Sequence, residues 1–219
     1  MDTETARFNM IEQQIRPWDV LDPRILNALH DVHREDYVPP SYRDLAFADM
    51  HIPLDHGQVM MQPKQEARLL QALTLQPGDR VLEIGTGSGH VTALLAHLAG
   101  RVETVDIFPD FLEAAKTRLS ANGVTNVTFH EGDGARGWDD TQGQGYDAIF
   151  LTGSVTELPD RYRELLAEGG RLAAIVGRSP IMEALLVERL AGDQYRTVSL
   201  FDTSLPPLIH GEAEPAFIF

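Results

Sequence analysis

The stretch that most constrains the fold is "VLEIGTGSGH", residues 81–90, where glycines separate a short apolar run from a helical pattern. Gly85, Gly87 and Gly89 lack side chains, so the backbone can approach a ligand closely, and the next helix offers unpaired N–H donors. A dinucleotide-binding fingerprint requires its third glycine at position 90, which is His90 here. The loop therefore indicates a bound ligand, and a nicotinamide dinucleotide is the weaker interpretation.

Acidic residues follow at the ends of the next two predicted strands. Asp106 lies 21 positions beyond Gly85. A carboxylate about 20 residues past such a loop is placed to accept hydrogen bonds from ribose hydroxyls. Asp133 and Gly134 end the third strand, and ligands of open α/β sheets bind outside the carboxyl ends of the strands. These segments predict a single adenosine-binding crevice.

The remainder of the chain alternates between strand and helix patterns, which predicts an α/β fold with a doubly wound, mostly parallel, Rossmann-like sheet. Residues 1–63 are expected to form an N-terminal helical extension ending in a loop, with helices at about 4–15 and 22–31. Residues 64–219 are expected to form the ligand-binding α/β domain, packed with the extension as one compact unit. The predicted strands are 80–85, 101–107, 127–133, 146–153, 171–177 and 194–204, and the predicted helices are 63–73, 90–99, 109–123, 158–170 and 180–192.

Composition disfavours several classes of function. The net charge of −15 repels phosphate backbones, and no cluster of Lys and Arg is visible, so a nucleic-acid substrate is disfavoured. No apolar run reaches the length of a membrane span, and the polar N-terminus does not resemble a secretory signal. We therefore expect a cytoplasmic enzyme that does not bind membranes. The absence of cysteine excludes thiolate zinc sites, and no metal ligands are predicted.

The glycine loop, Asp106 and Asp133 together resemble the cofactor site of class I methyltransferases, which use S-adenosylmethionine. In that class, an acidic residue at the position of Glu83 lies near the methionine moiety of the cofactor. Longer segments narrow the resemblance, and the chain is identified as a member of the protein-L-isoaspartate O-methyltransferase family along nearly its whole length. The segments that carry this resemblance are 22–39 "DPRILNALHDVHREDYVP", 46–63 "AFADMHIPLDHGQVMMQP", 80–96 "RVLEIGTGSGHVTALLA", 132–138 "GDGARGW" and 204–208 "SLPPL".

The resemblance implies a reaction, a cofactor and a set of site residues. The family transfers a methyl group from S-adenosylmethionine to the free carboxylate of isoaspartyl residues in damaged peptides and proteins, and it suggests a monomer. Cofactor contacts are expected from Glu83, Gly85, Thr86, Gly87, Ser88, Gly89, Asp106, Ile107, Asp133, Gly134 and Thr152. Substrate contacts are expected from Gln58, Val59, Met60, Pro207 and Leu208.

One residue departs from the family pattern. The family motif "T-I-S-Q-P" corresponds to "VMMQP" here, so Met61 occupies the position of the serine usually assigned to the active site. A thioether cannot donate a hydrogen bond to a substrate carboxylate. Three interpretations stay open: a repair enzyme whose carboxylate is held by other donors, a family member retuned to another methyl acceptor, or a non-catalytic module that binds S-adenosylmethionine. Met61 as plain core packing is the simplest reading of the side chain alone.

Overall fold

The computed structural model describes residues 2–139 and 143–212, and it begins with a layer of short helices. The predicted start of the second helix is confirmed, because the Asp22 carboxylate accepts a hydrogen bond from the Arg24 N–H at 2.8 Å and Pro23 takes the first helical position. The C-terminal "AFIF", interpreted from sequence as an edge strand or a hydrophobic anchor, lies outside the described residues. The elements of this layer are α1 (Thr3–Met10), a π-helical turn (Ile11–Ile15), α2 (Pro23–Asp31), four 3-10 turns (Arg16–Trp18, Arg34–Asp36, Pro40–Leu45 and Asp55–Gly57), and the paired strands β1 (Ile52–Pro53) and β2 (Val59–Met60).

The α/β domain contains a seven-stranded sheet in the order β5-β4-β3-β6-β7-β8-β9. The first five strands in this order are parallel, and the last two are antiparallel to their neighbours, so the predicted mostly parallel, Rossmann-like fold is confirmed. Its elements are α3 (Pro63–Leu73), β3 (Arg80–Ile84), α4 (His90–Leu98), β4 (Arg101–Asp106), α5 (Pro109–Ala121), β5 (Val127–Glu131), β6 (Tyr146–Val155), α6 (Asp160–Glu164), β7 (Leu166–Arg178), β8 (Ile181–Arg189) and β9 (Tyr195–Thr203).

The helix predicted over residues 180–192 is wrong, because Ile181–Arg189 form strand β8. Met, Glu, Ala and Leu give this stretch a high intrinsic helix propensity. Its side chains nevertheless alternate, with Met182 and Ala184 buried and Glu183 between them exposed, which is the period of a strand. Pairing with β7 on one side and β9 on the other therefore outweighs local propensity.

The helix predicted over residues 158–170 is also largely wrong. Only Asp160–Glu164 are helical, and β7 starts at Leu166, which pairs with Tyr146 of β6. Strand β7 thus begins earlier than the glycine pair of this segment suggested, and the predicted helix is reduced to little more than a turn.

The largest hydrophobic core joins the N-terminal layer to the sheet. It contains Met10, Ile15 and Leu26 from the layer together with Val81 and Phe150 from the central strands. Burial of these side chains stabilises the fold by roughly 25 cal/mol for each Å² of apolar surface removed from water. The irregular segments between the short helices are thereby fixed over one end of the sheet. Within the described ranges, no helix has the length and apolar composition needed to cross a bilayer.

Candidate functional site

The carboxyl ends of strands β3, β4, β5 and β6 meet at a crevice. Ten of the residues predicted from sequence line it, which brings together segments far apart in the chain. These residues are Gln58, Val59, Gly85, Gly87, Asp106, Ile107, Asp133, Gly134, Thr152 and Leu208. The crevice has a volume of about 60 Å³, and a smaller cavity of about 40 Å³ adjoins it beside the glycine loop.

The glycine loop closes one wall of the crevice, and Gly85 is the position where a side chain is least tolerable. Its φ is +97°, and a Cβ atom placed on it would lie 2.2 Å from Thr152 Oγ1. The Thr152 hydroxyl in turn donates a hydrogen bond to the Ile84 carbonyl at 2.9 Å. Backbone of β3 and side chain of β6 are therefore in direct contact, and only glycine fits between them.

Asp106 at the end of β4 is held in place by the backbone. Its two carboxylate oxygens accept hydrogen bonds at 2.9 Å from the N–H groups of Gly87 and Phe108. Burial raises the pKa of Asp106 despite these two donors. Each oxygen keeps one further acceptor site, which is what recognition of vicinal ribose hydroxyls requires.

Asp133 at the end of β5 is tied to the C-terminal segment of the crevice wall. Its carboxylate accepts a hydrogen bond from the Ala135 N–H at 2.9 Å and lies 2.8 Å from His210 Nδ1. Burial acts to raise the pKa of Asp133, but the Ala135 N–H and His210 lower it overall. His210 lies two residues after Leu208, so this contact places residues 205–210, which we call the late segment, directly against the crevice.

Two predicted cofactor residues, Glu83 and Gly89, line neither the crevice nor the small cavity. Glu83 is fully buried beneath the glycine loop, where the hydroxyls of Thr92 and Thr104 donate to its Oε2 at 2.5 and 2.6 Å. Among residues 2–139 and 143–212, no group forms a hydrogen bond with its Oε1, and burial raises the pKa of Glu83 to about 8. Gly89 packs against α5, since a Cβ there would lie 2.9 Å from Ala115 Cβ.

Residues 54–62, which the resemblance predicts to contact substrate and which we call the substrate loop, cover the crevice and the small cavity. Met60 and Met61 border the small cavity together with Thr86 and Ser88 of the glycine loop. The Met61 side chain is only 2% exposed and belongs to the largest hydrophobic core. The structure therefore favours a packing role for this thioether over a role in binding a polar acceptor.

The tip of the substrate loop contacts helix α5 through a histidine that sequence reasoning did not assign to the site. The His56 ring stacks on Phe108 at 3.9 Å between ring centres, and its Nε2 lies 2.9 Å from Asp110 Oδ2. His56 has a φ of +56°, so the loop makes a tight reversal at this point. Phe108 and Phe111 were missed as well, and their place directly after Asp106, at the start of a helix, was the available signal.

A larger cavity of about 1030 Å³ lies on the other side of the late segment. Pro207, predicted as a substrate contact, lines this cavity and not the crevice. Lys64 and Arg178 also line it, together with Asp202 and Glu212, which gives a polar wall with charges of both signs. The segment from Leu205 to Leu208 thus separates the two spaces and faces both.

The residues of the crevice fit S-adenosylmethionine on chemical grounds. Asp106 offers acceptors for a ribose, and the apolar side chains of Ile107 and Phe108 follow it on the same wall. Gly85 and Gly87 leave room for a ligand that a side chain would occupy, and both also border the small cavity. Together these features provide one polar, one apolar and one backbone-lined surface. Within the described residues, no group of three or more His, Cys, Asp or Glu side chains is arranged to hold a metal ion.

Comparison with known proteins gives the same family over nearly the whole chain. The family model described as protein-L-isoaspartate(D-aspartate) O-methyltransferase matches residues 5–209. A protein-L-isoaspartate O-methyltransferase 1 from Rhodopseudomonas palustris is 40% identical over 94% of this chain and 84% of its own length. A protein-L-isoaspartate O-methyltransferase 2 from Pelobacter propionicus is 37% identical over 95% of this chain and 92% of its own length.

Solved structures agree with the fold. A protein-L-isoaspartate O-methyltransferase from Plasmodium falciparum, solved in complex with S-adenosyl-L-homocysteine, superposes with a TM-score of 0.79 at 19% identity, covering 95% of this chain and 98% of its own. A second protein-L-isoaspartate O-methyltransferase gives a TM-score of 0.77 at 25% identity, covering 94% of this chain and 65% of its own.

Proposed function

Because the chain belongs to the protein-L-isoaspartate O-methyltransferase family, we propose that it esterifies the free carboxylate of isoaspartyl residues with a methyl group from S-adenosylmethionine. The observation that carries the proposal is the joint placement of Asp106, Gly87 and Val59 on one crevice, because it sets a cofactor site against the substrate loop. We place the adenosine at Asp106 and the methionine end beside the glycine loop.

The chemistry asks the protein mainly for positioning. S-adenosylmethionine supplies an electrophilic methyl group when bound. A carboxylate with a reference pKa of about 3.9 is already ionised near neutral pH, so no general base is required. The substrate loop and Leu208 orient the acceptor oxygen toward the methyl carbon and exclude water.

Because the Met61 side chain cannot donate a hydrogen bond, other groups must hold the acceptor carboxylate. We propose that the carboxamide of Gln58, a residue that lines the crevice, and the peptide N–H of Met61 take this part. A hydrogen bond to a charged group contributes about 1.5–3 kcal/mol, so two such donors offset the loss of one serine hydroxyl. The core packing of the Met61 side chain supports this reading over a retuned acceptor pocket.

Admission of the cofactor requires movement of the crevice walls. The crevice and the small cavity measure about 60 and 40 Å³, whereas ligand pockets generally span about 300–1,000 Å³. We propose that the substrate loop and the late segment open together. Their anchoring contacts, His56 with Asp110 and His210 with Asp133, are on the exposed side of the crevice.

We also propose how the protein works in its setting. The extension of residues 1–63 supplies the substrate loop, and residues 64–219 bind the cofactor. The substrate is a polypeptide, and its flanking residues extend into the larger cavity bounded by Pro207. The protein acts as a monomer in the cytoplasm, without nucleic acid or membrane, in line with its net charge of −15.

Methyl transfer from labelled S-adenosylmethionine to an isoaspartyl peptide tests the proposal. The same peptide with a normal aspartyl residue is the control. Label on the isoaspartyl peptide alone is the expected result. Binding of S-adenosyl-L-homocysteine by calorimetry, without transfer to either peptide, would leave a cofactor-binding protein and refute the acceptor.

A further inference from the structure

Arg34 is buried between the N-terminal layer and the crevice, and its guanidinium contacts separate parts of the chain. Its Nε donates a hydrogen bond to the Ala46 carbonyl at 2.9 Å, and its Nη2 donates to the Met61 carbonyl at 2.7 Å. Its Nη1 forms an ion pair with the Glu66 carboxylate of α3. One planar group therefore holds the backbone of the substrate loop and the start of the helix that follows it.

The same cluster reaches the glycine loop through His90, the first residue of α4. His90 Nδ1 lies 3.0 Å from Glu66 Oε2 and 3.0 Å from Arg34 Nη1. Burial lowers the pKa of His90, so the ring is neutral. Burial acts to raise the pKa of Glu66, but Arg34 and then His90 lower it overall, which leaves a carboxylate. Because a carboxylate only accepts hydrogen bonds, His90 Nδ1 carries the proton and donates it to Glu66. The approach of Arg34 Nη1 to the same nitrogen is then a contact without a hydrogen bond.

The cluster therefore spans the small cavity between the two loops. Met61 and Glu66 border the cavity on one side, and Thr86 and Ser88 border it on the other. Each loop is fixed to a member of the same ion pair, so the separation between them follows from the geometry of that pair. A shift of about 1 Å in such a separation is enough to lower a transfer rate by about a hundredfold.

We infer that Arg34 is a positioning residue for methyl transfer, which fixes the Met61 carbonyl, and with it the substrate loop, against the glycine loop. This inference rests on the proposed function. Since the Met61 side chain donates no hydrogen bond, the direction of the neighbouring peptide N–H groups decides how the acceptor is held. Fixing the Met61 carbonyl fixes the peptide plane between Met61 and Gln62, which is joined to the plane of the Met61 N–H at a single Cα atom.

A second buried ion pair in the same layer provides a matched control. Arg7 is 1% exposed, like Arg34, and its partners are Glu4 and Glu35. Arg7 thus joins α1 to the 3-10 turn that also contains Arg34. Replacing either arginine by lysine keeps the charge and removes the planar fork, so a general loss of packing affects both variants.

The test compares Arg34→Lys with Arg7→Lys by turnover and by hydrogen exchange. Lysine places its donors on one nitrogen and cannot reach Ala46, Met61 and Glu66 together. In Arg34→Lys, kcat on an isoaspartyl peptide is expected to fall about ten- to a hundredfold, with the affinity for S-adenosyl-L-homocysteine within about threefold of native. Amide exchange of residues 54–62 is expected to become faster in Arg34→Lys and to stay native-like in Arg7→Lys.

The pair His90→Asn and His90→Ala repeats the test if Arg34→Lys does not fold. Asparagine keeps an N–H donor near the place of Nδ1, so it should retain most of kcat, whereas alanine should lose it. Loss of kcat in proportion to loss of thermal stability in every variant, Arg7→Lys included, would overturn the positioning role. A native protein that transfers no methyl group would refute the proposed function, while exchange of residues 54–62 would still decide whether Arg34 holds the loop.

Discussion

The proposed cofactor side and the proposed substrate side of the crevice are built in different ways. On the cofactor side, Asp106 ends β4, Gly87 lies in the loop after the adjacent parallel strand β3, and the Gly87 N–H donates to the Asp106 carboxylate at 2.9 Å. On the substrate side, two-residue strands and 3-10 turns provide little regular hydrogen bonding. Buried side chains such as Arg34 and Gln65 hold that region instead. The first side depends on local sequence, and the second depends on contacts between distant residues.

This difference predicts different sensitivities to substitution. On the cofactor side, a single added methyl group meets backbone or a buried neighbour, because strands leave no room to adjust. On the substrate side, the loop tolerates changes of side chain but not loss of the groups that hold its backbone. The substitutions below break one side at a time, beginning with the largest expected effect.

The cofactor side breaks most completely at Gly85. In Gly85→Ala the new methyl group lies 2.2 Å from Thr152 Oγ1 at a φ of +97°. We expect the dissociation constant for S-adenosyl-L-homocysteine, measured by calorimetry, to rise by at least about thirtyfold, since clash and left-handed strain each cost about 1–3 kcal/mol. Gly78→Ala is the control, because a Cβ there meets nothing within 4 Å. Near-native binding by Gly85→Ala would place the cofactor elsewhere.

Met61→Ser sharpens the comparison on the substrate side. The side chain is 2% exposed in the largest core, so truncation should lower the free energy of unfolding by about 2–4 kcal/mol in urea titrations. Met61→Leu conserves volume and should cost less than about 1.5 kcal/mol. Neither variant is expected to raise kcat. A gain in kcat on isoaspartyl peptide in Met61→Ser at native stability would mean that this side chain faces the acceptor.

Asp106→Asn breaks the cofactor side more gently than Gly85→Ala. The amide keeps one acceptor oxygen, so only one of the N–H groups of Gly87 and Phe108 retains its partner, and the charge that favours ribose hydroxyls is lost. An interaction of about 1.5–3 kcal/mol corresponds to a dissociation constant roughly ten- to a hundredfold weaker, read by calorimetry. Asp79→Asn, in the turn before β3, should bind as the native protein does. Equal weakening in both variants would argue for a general effect of charge.

Glu83→Gln tests whether the buried carboxyl group beneath the glycine loop makes the stability of the protein depend on pH. Burial raises the pKa of Glu83 to about 8, above its unfolded value near 4.5, so the native state binds the extra proton between these values. Its stabilising contribution is complete below pH 4.5 and is lost as pH rises through 8. At 1.36 kcal/mol per pKa unit, even half of this shift makes native stability fall by about 2 kcal/mol relative to Glu83→Gln. Parallel urea-derived stability curves for the two proteins from pH 5 to 8 would show that Glu83 does not titrate there.

The comparison also explains what the sequence revealed. The glycine loop, Asp106 and Asp133 lie together on the crevice, because each follows a strand whose end could be read from local pattern, while their contacts with the cofactor stay a prediction. The family resemblance supplied the substrate loop, but not the direction of the Met61 side chain. That direction follows from packing against residues such as Leu26 and Phe150, which are remote in sequence.

The errors have the same physical origin. The stretch 180–192 has helix-forming residues, and only its pairing between β7 and β9 makes it a strand. Arg34 lies in a segment rich in charges, where nothing in local sequence distinguishes a buried guanidinium from a solvated one. His56 and His210 contact the crevice rim through Asp110 and Asp133, which are at least 54 positions away in the chain. Long-range pairings of this kind cannot be predicted from the local sequence pattern.

The measurement that most directly tests this division is the single-turnover rate of methyl transfer to an isoaspartyl peptide at saturating S-adenosylmethionine, in the native protein and in Asp106→Asn. If the cofactor and substrate sides act separately, Asp106→Asn should transfer the methyl group within about threefold of the native rate when the cofactor is saturating. The variant has then lost only a cofactor contact that is equally strong in the ground state and the transition state. A rate that stays depressed by the full loss in affinity, at any cofactor concentration, would contradict the division and make Asp106 part of the transfer step.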